Sequence, residues 1–262
     1  MIAEAYFSAD GQIRSEHYHD CHQILLIEEG EIEGNLGKKK FVAKKGDLIL
    51  FSRFENHSVA SVSSEYRRFV LRLIPTDALN ENRVYSILSN RPSGFSGILK
   101  TGEKMDDFLR IFSALTKEWY RKEELSEEMI SCYVHELMIM IYRLIPQKYR
   151  FLENENFSLV YKIQKRFETD FKHSYSLTSL AKEYGMSPSA LSHDFKRITG
   201  VSVMEYLLGC RLAAAKERLI QTGASIGKIV EECGFSDCSN FGRIFKKKNG
   251  LSPREFRREY KR

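Results

Sequence analysis

Ser176-Leu177-Thr178-Ser179-Leu180-Ala181-Lys182-Glu183-Tyr184-Gly185-Met186-Ser187 lies over Ser225-Ile226-Gly227-Lys228-Ile229-Val230-Glu231-Glu232-Cys233-Gly234-Phe235-Ser236 at an offset of 49. Serine, glutamate, glycine and serine recur, and apolar residues match at 177/226, 180/229 and 181/230. Beyond the turn the offset becomes 50. Leu191 falls on Phe241, Phe195 on Phe245, Lys196 on Lys246, Gly200 on Gly250, Ser202 on Ser252 and Glu205 on Glu255. A repeat that stays in step across a one-residue insertion marks two copies of one structural unit.

Each copy predicts helix, tight turn, helix. In the first, Leu177, Leu180, Ala181 and Tyr184 recur at helical spacing. Gly185 ends that helix, because glycine takes the left-handed conformation of a helix end at least cost. Ser187 offers an N-cap, and Pro188 suits the first helical position. Leu191, Phe195 and Ile198 then form a buried stripe, leaving Ser189, Ser192, His193 and Lys196 outward. In the second copy Ile226, Ile229, Val230 and Cys233 form the first stripe, Gly234 ends the helix and Asp237 caps the next. Phe241, Ile244 and Phe245 face inward, while Ser239, Arg243, Lys246 and Lys247 face out. A polar, basic second helix after a short turn is the arrangement that reads the major groove of DNA. A plain helical hairpin explains neither the two copies nor the basic ends.

Between the copies, residues 203–221 place Met204, Leu207, Leu208, Leu212, Ala215 and Leu219 in an amphipathic pattern without proline. A helix of that length spans roughly 30 Å, close to the roughly 34 Å of one DNA turn. It can hold two recognition helices in successive major grooves. Charge agrees. Residues 151–262 carry 20 lysines and arginines against 13 acids, whereas residues 1–150 carry 21 against 22, so the excess positive charge lies beside the repeat. That asymmetry suggests a polyanion partner for one part of the chain and something else for the other.

Residues 158–262 resemble the DNA-binding domain of the AraC/XylS family of bacterial transcription regulators. The stretch that carries the resemblance is Ile226-x-x-Ile229-Val230-x-x-x-Gly234-Phe235-Ser236-Asp237 through Phe241-x-Arg243-x-Phe245-Lys246-Lys247-x-x-Gly250-x-Ser252-Pro253-x-x-Phe256-Arg257. Two positions depart from the family pattern: Asn240 stands where tyrosine is common, and His193 where arginine is frequent. The resemblance implies base-facing residues at Ser189, Ser192 and His193 in the first recognition helix. In the second it implies Cys238, Ser239 and Arg243.

Residues 1–75 read as β. Gln23-Ile24-Leu25-Leu26-Ile27, Lys40-Phe41-Val42-Ala43, Asp47-Leu48-Ile49-Leu50-Phe51 and Arg67-Arg68-Phe69-Val70-Leu71-Arg72-Leu73 are strand-like, punctuated by Gly30, Gly34 and Gly37. Short strands with turn residues between them suggest a small barrel or sandwich. His17-x-His19, Gly30, Gly46-Asp47 and His57 resemble a cupin barrel, the sensor domain of metabolite-responsive AraC relatives. Arg14, His17, His19, His22, His57 and Arg72 are the candidate effector contacts: arginine can clamp an anion. The histidines could serve as a metal set or as hydrogen-bonding residues at the barrel mouth; the latter reading is taken, with no metal and no cofactor assigned. Lys38-Lys39-Lys40 reads as a solvated hairpin tip. Cys233 and Cys238 lack the second pair a zinc finger needs.

Residues 77–147 read as helical. Phe108, Ile111, Phe112, Leu115 and Trp119 make one stripe; Met129, Tyr133, Leu137, Met140 and Leu144 make another. The second helix is also apolar at Ile130, Val134, Ile141 and Ile145, which suggests burial against the barrel and against a second subunit.

The expected architecture is α+β. Residues 1–149 form a cupin-like ligand-sensing β-barrel with a helical dimerisation segment at 77–147, residues 150–157 a linker, and residues 158–262 an all-α domain of two helix-turn-helix units joined by a linker helix. At 262 residues and 42% hydrophobic the chain can bury a sizeable core, and no apolar run approaches the roughly 18 residues of a membrane span. Cysteines 21, 132, 210, 233 and 238 are odd in number and scattered, as in a reducing cytoplasm. The function expected is a cytoplasmic, effector-responsive regulator, an activator by family usage. Its expected partners are double-stranded promoter or operator DNA, a small molecule such as a sugar, a second copy of itself, and RNA polymerase. No nucleophile–base pair or glycine-rich phosphate loop points to an enzyme. Two other readings are a metal-dependent cupin enzyme with a DNA-binding appendage and a ligand-independent architectural DNA binder.

Overall fold

Side chains of a strand alternate between two faces, and the apolar runs of the first half are buried on both. In the computed structural model, residues 2–9, 14–37, 39–74, 84–89, 95–146 and 155–260 are described. The chain divides into two units, one built mainly on residues 1–157 and one mainly on residues 158–262. In the first unit the strands are β1 (Ile2–Ser8), β2 (Arg14–His17), β3 (His22–Glu29), β4 (Glu31–Leu36), β5 (Lys39–Lys44), β6 (Asp47–Phe51), β7 (His57–Ser61), β8 (Arg67–Leu73) and β9 (Ile98–Lys100). They form a five-stranded sheet in the order β1-β8-β3-β6-β9 and a four-stranded sheet in the order β2-β7-β4-β5. The strand pairings among the described residues are antiparallel.

On β3, Leu25 and Ile27 join Ile49, Phe51 and Val70 of the same sheet and Ile32, Ala43 and Val59 of the other, so the two sheets share one core. Ile24 and Leu26 point the opposite way, to Leu48, Leu50 and Leu71 and to two helices. Full burial of each such side chain stabilises by about 1.5–3 kcal/mol. Gly30 turns β3 into β4 at φ +88°, and a Cβ there would lie 2.2 Å from the Glu65 carbonyl oxygen. Asp47 accepts from the Lys44 backbone N–H at 2.9 Å and so closes the β5–β6 turn.

A short helix α1 (Ser86–Ser89) precedes β9. Helices α2 (Met105–Arg121) and α3 (Ser126–Leu144) follow it. The expected α2 stripe is buried at Phe108, Ile111, Phe112 and Leu115, with Trp119 partly buried. Three expectations are corrected. Residues 77–147 are not wholly helical: Ile98–Lys100 pair with β6, an edge that the strand pattern of 1–75 left open. On α3 the core shared with the sheet and α2 takes Ile130, Val134, Leu137, Met138 and Ile141, while Met129 is 42% exposed and Tyr133, Met140 and Leu144 are only partly buried. Two apolar faces competed, and the one carrying Ile130, Val134 and Ile141 is the fully buried one. Of the expected linker, residues 150–154 lie outside the described residues, and residues 155–157 already belong to the next helix.

The second unit runs α4 (Glu155–Thr169), α5 (Leu177–Glu183), α6 (Pro188–Thr199), α7 (Val203–Gln221), α8 (Ile226–Glu232), α9 (Cys238–Asn249) and α10 (Pro253–Tyr260). The central α7 buries Leu212, Ala215 and Leu219 against Ile229 and Val230 of α8 and Phe241 and Phe245 of α9. Nearer its start, Tyr206 meets Phe195 of α6 edge to face at 5.7 Å. Met204, expected in the apolar pattern of α7, is 42% exposed. Among the described residues no single helix is long and apolar enough to cross a membrane.

The repeated serine–glutamate spacing has a physical cause. Ser202 Oγ accepts from the Glu205 backbone N–H, and Glu205 accepts from the Ser202 N–H at 2.9 Å. Ser252 and Glu255 make the same reciprocal pair at the start of α10. Both are capping boxes. The hydrogen bond from Ser202 holds the Glu205 carboxyl below the usual glutamate range. Its folded pKa is depressed, so the stabilisation is complete above the ordinary glutamate value and vanishes as pH falls through the folded one. Glu205→Ala should cost about 0.3–1.5 kcal/mol near neutrality. In urea titrations the two proteins should differ at pH 7 and converge in strong acid; a gap that persists in acid would point to lost packing instead.

Candidate nucleic-acid interface and sensor site

Each second helix of a repeat is set by its cap and its buried rings. Ser187 Oγ accepts from Ala190 N–H at 3.1 Å at the start of α6, and Asp237 accepts from Asn240 N–H at the start of α9. Leu191, Phe195 and Ile198 are fully buried beneath α6, as are Phe241 and Phe245 beneath α9. Gly234, in the turn before α9, has φ +76°, and a Cβ there would meet the Lys172 carbonyl oxygen at 2.8 Å. The turn is therefore pressed against the chain entering the first repeat. Arg211 of α7 ties that same segment, donating to the carbonyls of Phe171 at 2.8 Å and His173 at 2.9 Å.

The burial that anchors these helices leaves their other faces to solvent. Ser189, His193 and Lys196 of α6 are exposed, and Ser192 is half-buried. His193 Nδ1 lies 3.4 Å from its neighbour Asp194. On α9, Cys238, Ser239, Arg243, Lys246 and Lys247 are exposed. Arg243 donates to Asn240 Oδ1 at 3.1 Å, one turn back, while Glu232 accepts from Arg218. The Asn240 departure from the family pattern thus holds the guanidinium along the outer face. Arg257, another residue of the motif, donates to the Ala224 carbonyl at 2.6 Å and so joins α10 to the start of the second repeat.

In the first unit the structure gathers His17, His19 and His57, whose candidate ligand atoms all lie within 4.8 Å of one another. His17 and His57 are directly opposed on β2 and β7. Phe51 stacks on the His57 ring at 4.1 Å. Burial pushes the His57 imidazole down to about 3, against a hydrogen bond to the Glu55 carbonyl that favours its charged form, so it is neutral at physiological pH.

His22 stands apart from this set. By strand parity it lies on the Ile24 face of β3, where its Nδ1 accepts from the Arg53 N–H at 3.1 Å. Arg72 already has a carboxylate, Glu4, at 2.6 Å. The side chain of Arg14 lies outside the described residues. Gln23, which carried no sequence signal beyond being polar beside an apolar run, is buried opposite Arg72. Gln23 Oε1 and Arg72 Nε are buried with no hydrogen-bond partner among the described residues.

Comparison with known proteins agrees with both units. Residues 2–138 match the model of the AraC-like ligand binding domain, and residues 180–259 that of a helix-turn-helix domain. The HTH-type transcriptional activator RhaR of Escherichia coli (strain K12) is 21% identical over 269 residues, covering 98% of this chain and 95% of that protein. RhaR of Enterobacter sp. (strain 638) is 22% identical over 244 residues, covering 93% and 86%. Among solved structures, unsaturated fatty acid bound wild-type ToxT from Vibrio cholerae strain SCE256 superposes with a TM-score of 0.63 at 13% identity, covering 97% of this chain and 93% of that one. ToxT from Vibrio cholerae O395 gives 0.62 at 15% identity, covering 98% and 96%. With an antiparallel two-sheet sensor domain followed by a paired helix-turn-helix domain, this chain belongs to the AraC family of transcription regulators.

Proposed function

We propose that the protein is a cytoplasmic, effector-responsive transcription activator and not an enzyme. The observation that carries this reading is the pair of capped helices with buried rings beneath and exposed polar or basic faces above. Ser189, Ser192, His193 and Lys196 of α6 and Cys238, Ser239, Arg243, Lys246 and Lys247 of α9 face the DNA. The 19-residue α7 extends about 28 Å at 1.5 Å per residue, which supports placing the two helices one DNA turn apart. Residues 1–149 form the sensor, and the helices from Glu155 onward the DNA-binding part. On α3, Met129 is exposed and Tyr133, Met140 and Leu144 are only partly covered by the core, and this apolar surface supports a homodimer through that helix. RNA polymerase is the remaining partner of an activator.

The effector is a small polar molecule such as a sugar or related metabolite, held between the sheets near His17, His19, His57 and Arg72. Strand parity sets Gln23 and Arg72 on the Leu25 and Val70 faces of β3 and β8, toward the shared core. Their unmatched acceptor and donor are costly to bury without a partner, and a hydroxylated ligand would satisfy both.

Full-length protein should shift a duplex taken from upstream of its own operon. Affinity should fall steeply with salt, because bound cations released from DNA drive binding. A metabolite that raises its thermal midpoint should change operator occupancy, which requires unequal affinity for two conformations. Equal affinity for operator and random DNA would favour an architectural binder. A tight effector that leaves occupancy and transcription unchanged would remove the sensor reading.

A further inference from the structure

We propose that Arg211 is a positioning residue: it clasps the chain entering the first repeat against the turn of the second, and so fixes the spacing at which the two recognition helices meet DNA. The inference rests on the reading of α6 and α9 as the two DNA-facing helices. Arg211 stands near the middle of α7. Its Nε donates to the Phe171 carbonyl at 2.8 Å and its Nη2 to the His173 carbonyl at 2.9 Å, so one planar guanidinium spans the segment 171–173 between α4 and α5. Gly234, in the turn before α9, closes on the same segment. A Cβ there would lie 2.8 Å from the Lys172 carbonyl oxygen, 2.9 Å from the Lys172 Cα and 3.2 Å from Arg211 Nε.

Each repeat packs on a different part of α7. Tyr206, near its start, meets Phe195 of α6 edge to face and donates to Glu168 of α4 at 2.9 Å. Leu212, Ala215 and Leu219, nearer its end, bury against α8 and α9. Arg211 lies where the two parts adjoin, and touches the loop of one repeat and the turn of the other. A guanidinium that only capped α4 would satisfy the carbonyls at its end and need no second repeat. Here the glycine turn is pressed against both the loop and the guanidinium, with no room for a side chain between them. Burial lowers the Arg211 pKa from the ordinary arginine value, so its charge is partly out of water and relies on the two carbonyls.

Two linked modules bind two sites with an effective concentration that depends on the stiffness of the link. A rigid pair binds strongly at the matched separation and poorly at any other. A looser pair binds less well at the match and tolerates a mismatch. One inserted base pair moves the second half-site by about 3.4 Å along the duplex and turns it by roughly 34–36°. Loss of the Arg211 clasp should therefore exchange affinity for tolerance, whereas simple destabilisation of the fold would lower affinity at every spacing alike.

The test uses full-length protein and the operator duplex from upstream of its own operon, with or without one base pair inserted between the footprinted half-sites. The insertion should cost the parent more than about 10-fold in affinity. Arg211→Ala should bind the original duplex about 10-fold more weakly yet lose less than about 3-fold on insertion. Arg211→Lys keeps the charge without the fork and should shift the same way; it serves where circular dichroism shows the alanine variant unfolded. A second measurement needs no DNA. Spin labels on the exposed Cys238 and on Ser189→Cys, with the exposed Cys132 replaced by Cys132→Ser, report the distance between α6 and α9. Excess unlabelled protein confines the signal to pairs within one chain. The parent should give one narrow distance distribution and the Arg211 variants a broad one. An unchanged distribution in both variants would overturn the clasp, and an unchanged insertion penalty would overturn its hold on spacing. A parent indifferent to the insertion would strike the two-helix reading of DNA and the spacing role with it, while a broadened distribution in the variants would still uphold the clasp itself.

Discussion

Arg243→Ala should cost about 1–3 kcal/mol of operator affinity and flatten the preference at one base pair, whereas Lys246→Ala should weaken all sequences alike. The difference follows from geometry. Arg243 leaves α9 between the buried Phe241 and Phe245, so the rings that lock the helix also aim the side chain outward. A guanidinium can donate two parallel hydrogen bonds to guanine O6 and N7; the ammonium of Lys246 is a point charge suited to phosphate. Before DNA arrives, Asn240 holds the guanidinium at 3.1 Å, a neutral contact that binding can exchange at little cost. The corresponding position of the first repeat is His193, which cannot form the fork, so α9 should carry the sharper base preference. Binding of both variants to a library of single-base operator changes decides the matter. Uniform weakening by Arg243→Ala, with unchanged base preferences, would assign the residue to the backbone.

Phe245→Ala should remove about 3–5 kcal/mol of stability from the DNA-binding unit. Its ring is fully buried, 5.4 Å from Phe241 and 5.4 Å from Phe256, and joins α9 to α10. Domains are stable by only about 5–15 kcal/mol, so this single cavity consumes a large share. The thermal transition of that unit should drop by more than roughly 10 °C. Operator binding should fail at temperatures where the sensor unit is still folded. Ile244→Ala, at a partly buried neighbour, should cost less. Calorimetry of both proteins gives the answer, and an unchanged transition for Phe245→Ala would mean that α9 is held by something other than its ring cluster.

The paired helix-turn-helix was legible in the sequence because its determinants are local. Caps act over three residues, as Asp237 does on Asn240 and Ser202 on Glu205, and helical stripes repeat every three or four. Glycines at turns and the serine–glutamate spacing recur in both copies for the same reason, and α7 spans the 203–221 expected of it. The apolar runs of β3, β6 and β8 were likewise visible, since burial on both faces leaves little room for polar residues.

Long-range pairing was not visible. Ile98–Lys100 became a strand because β6, about 50 residues earlier, presented an open edge. Ile130, Val134 and Ile141 won the core side of α3 over an equally apolar face, a choice made by packing rather than periodicity. Four histidines looked alike in the chain, yet only three meet. His17 and His57 share a face because β2 and β7 pair in that register, whereas His22 was turned to the other side of β3 by one residue of parity. Arg72 looked available to an anion until β1 folded back beside β8 and brought Glu4 to it. The sequence by itself determined the helices of the paired helix-turn-helix and the outward polar and basic faces of their second helices; only the tertiary structure decided which polar side chains meet inside the sensor, because register and strand pairing are properties of segments distant in the chain.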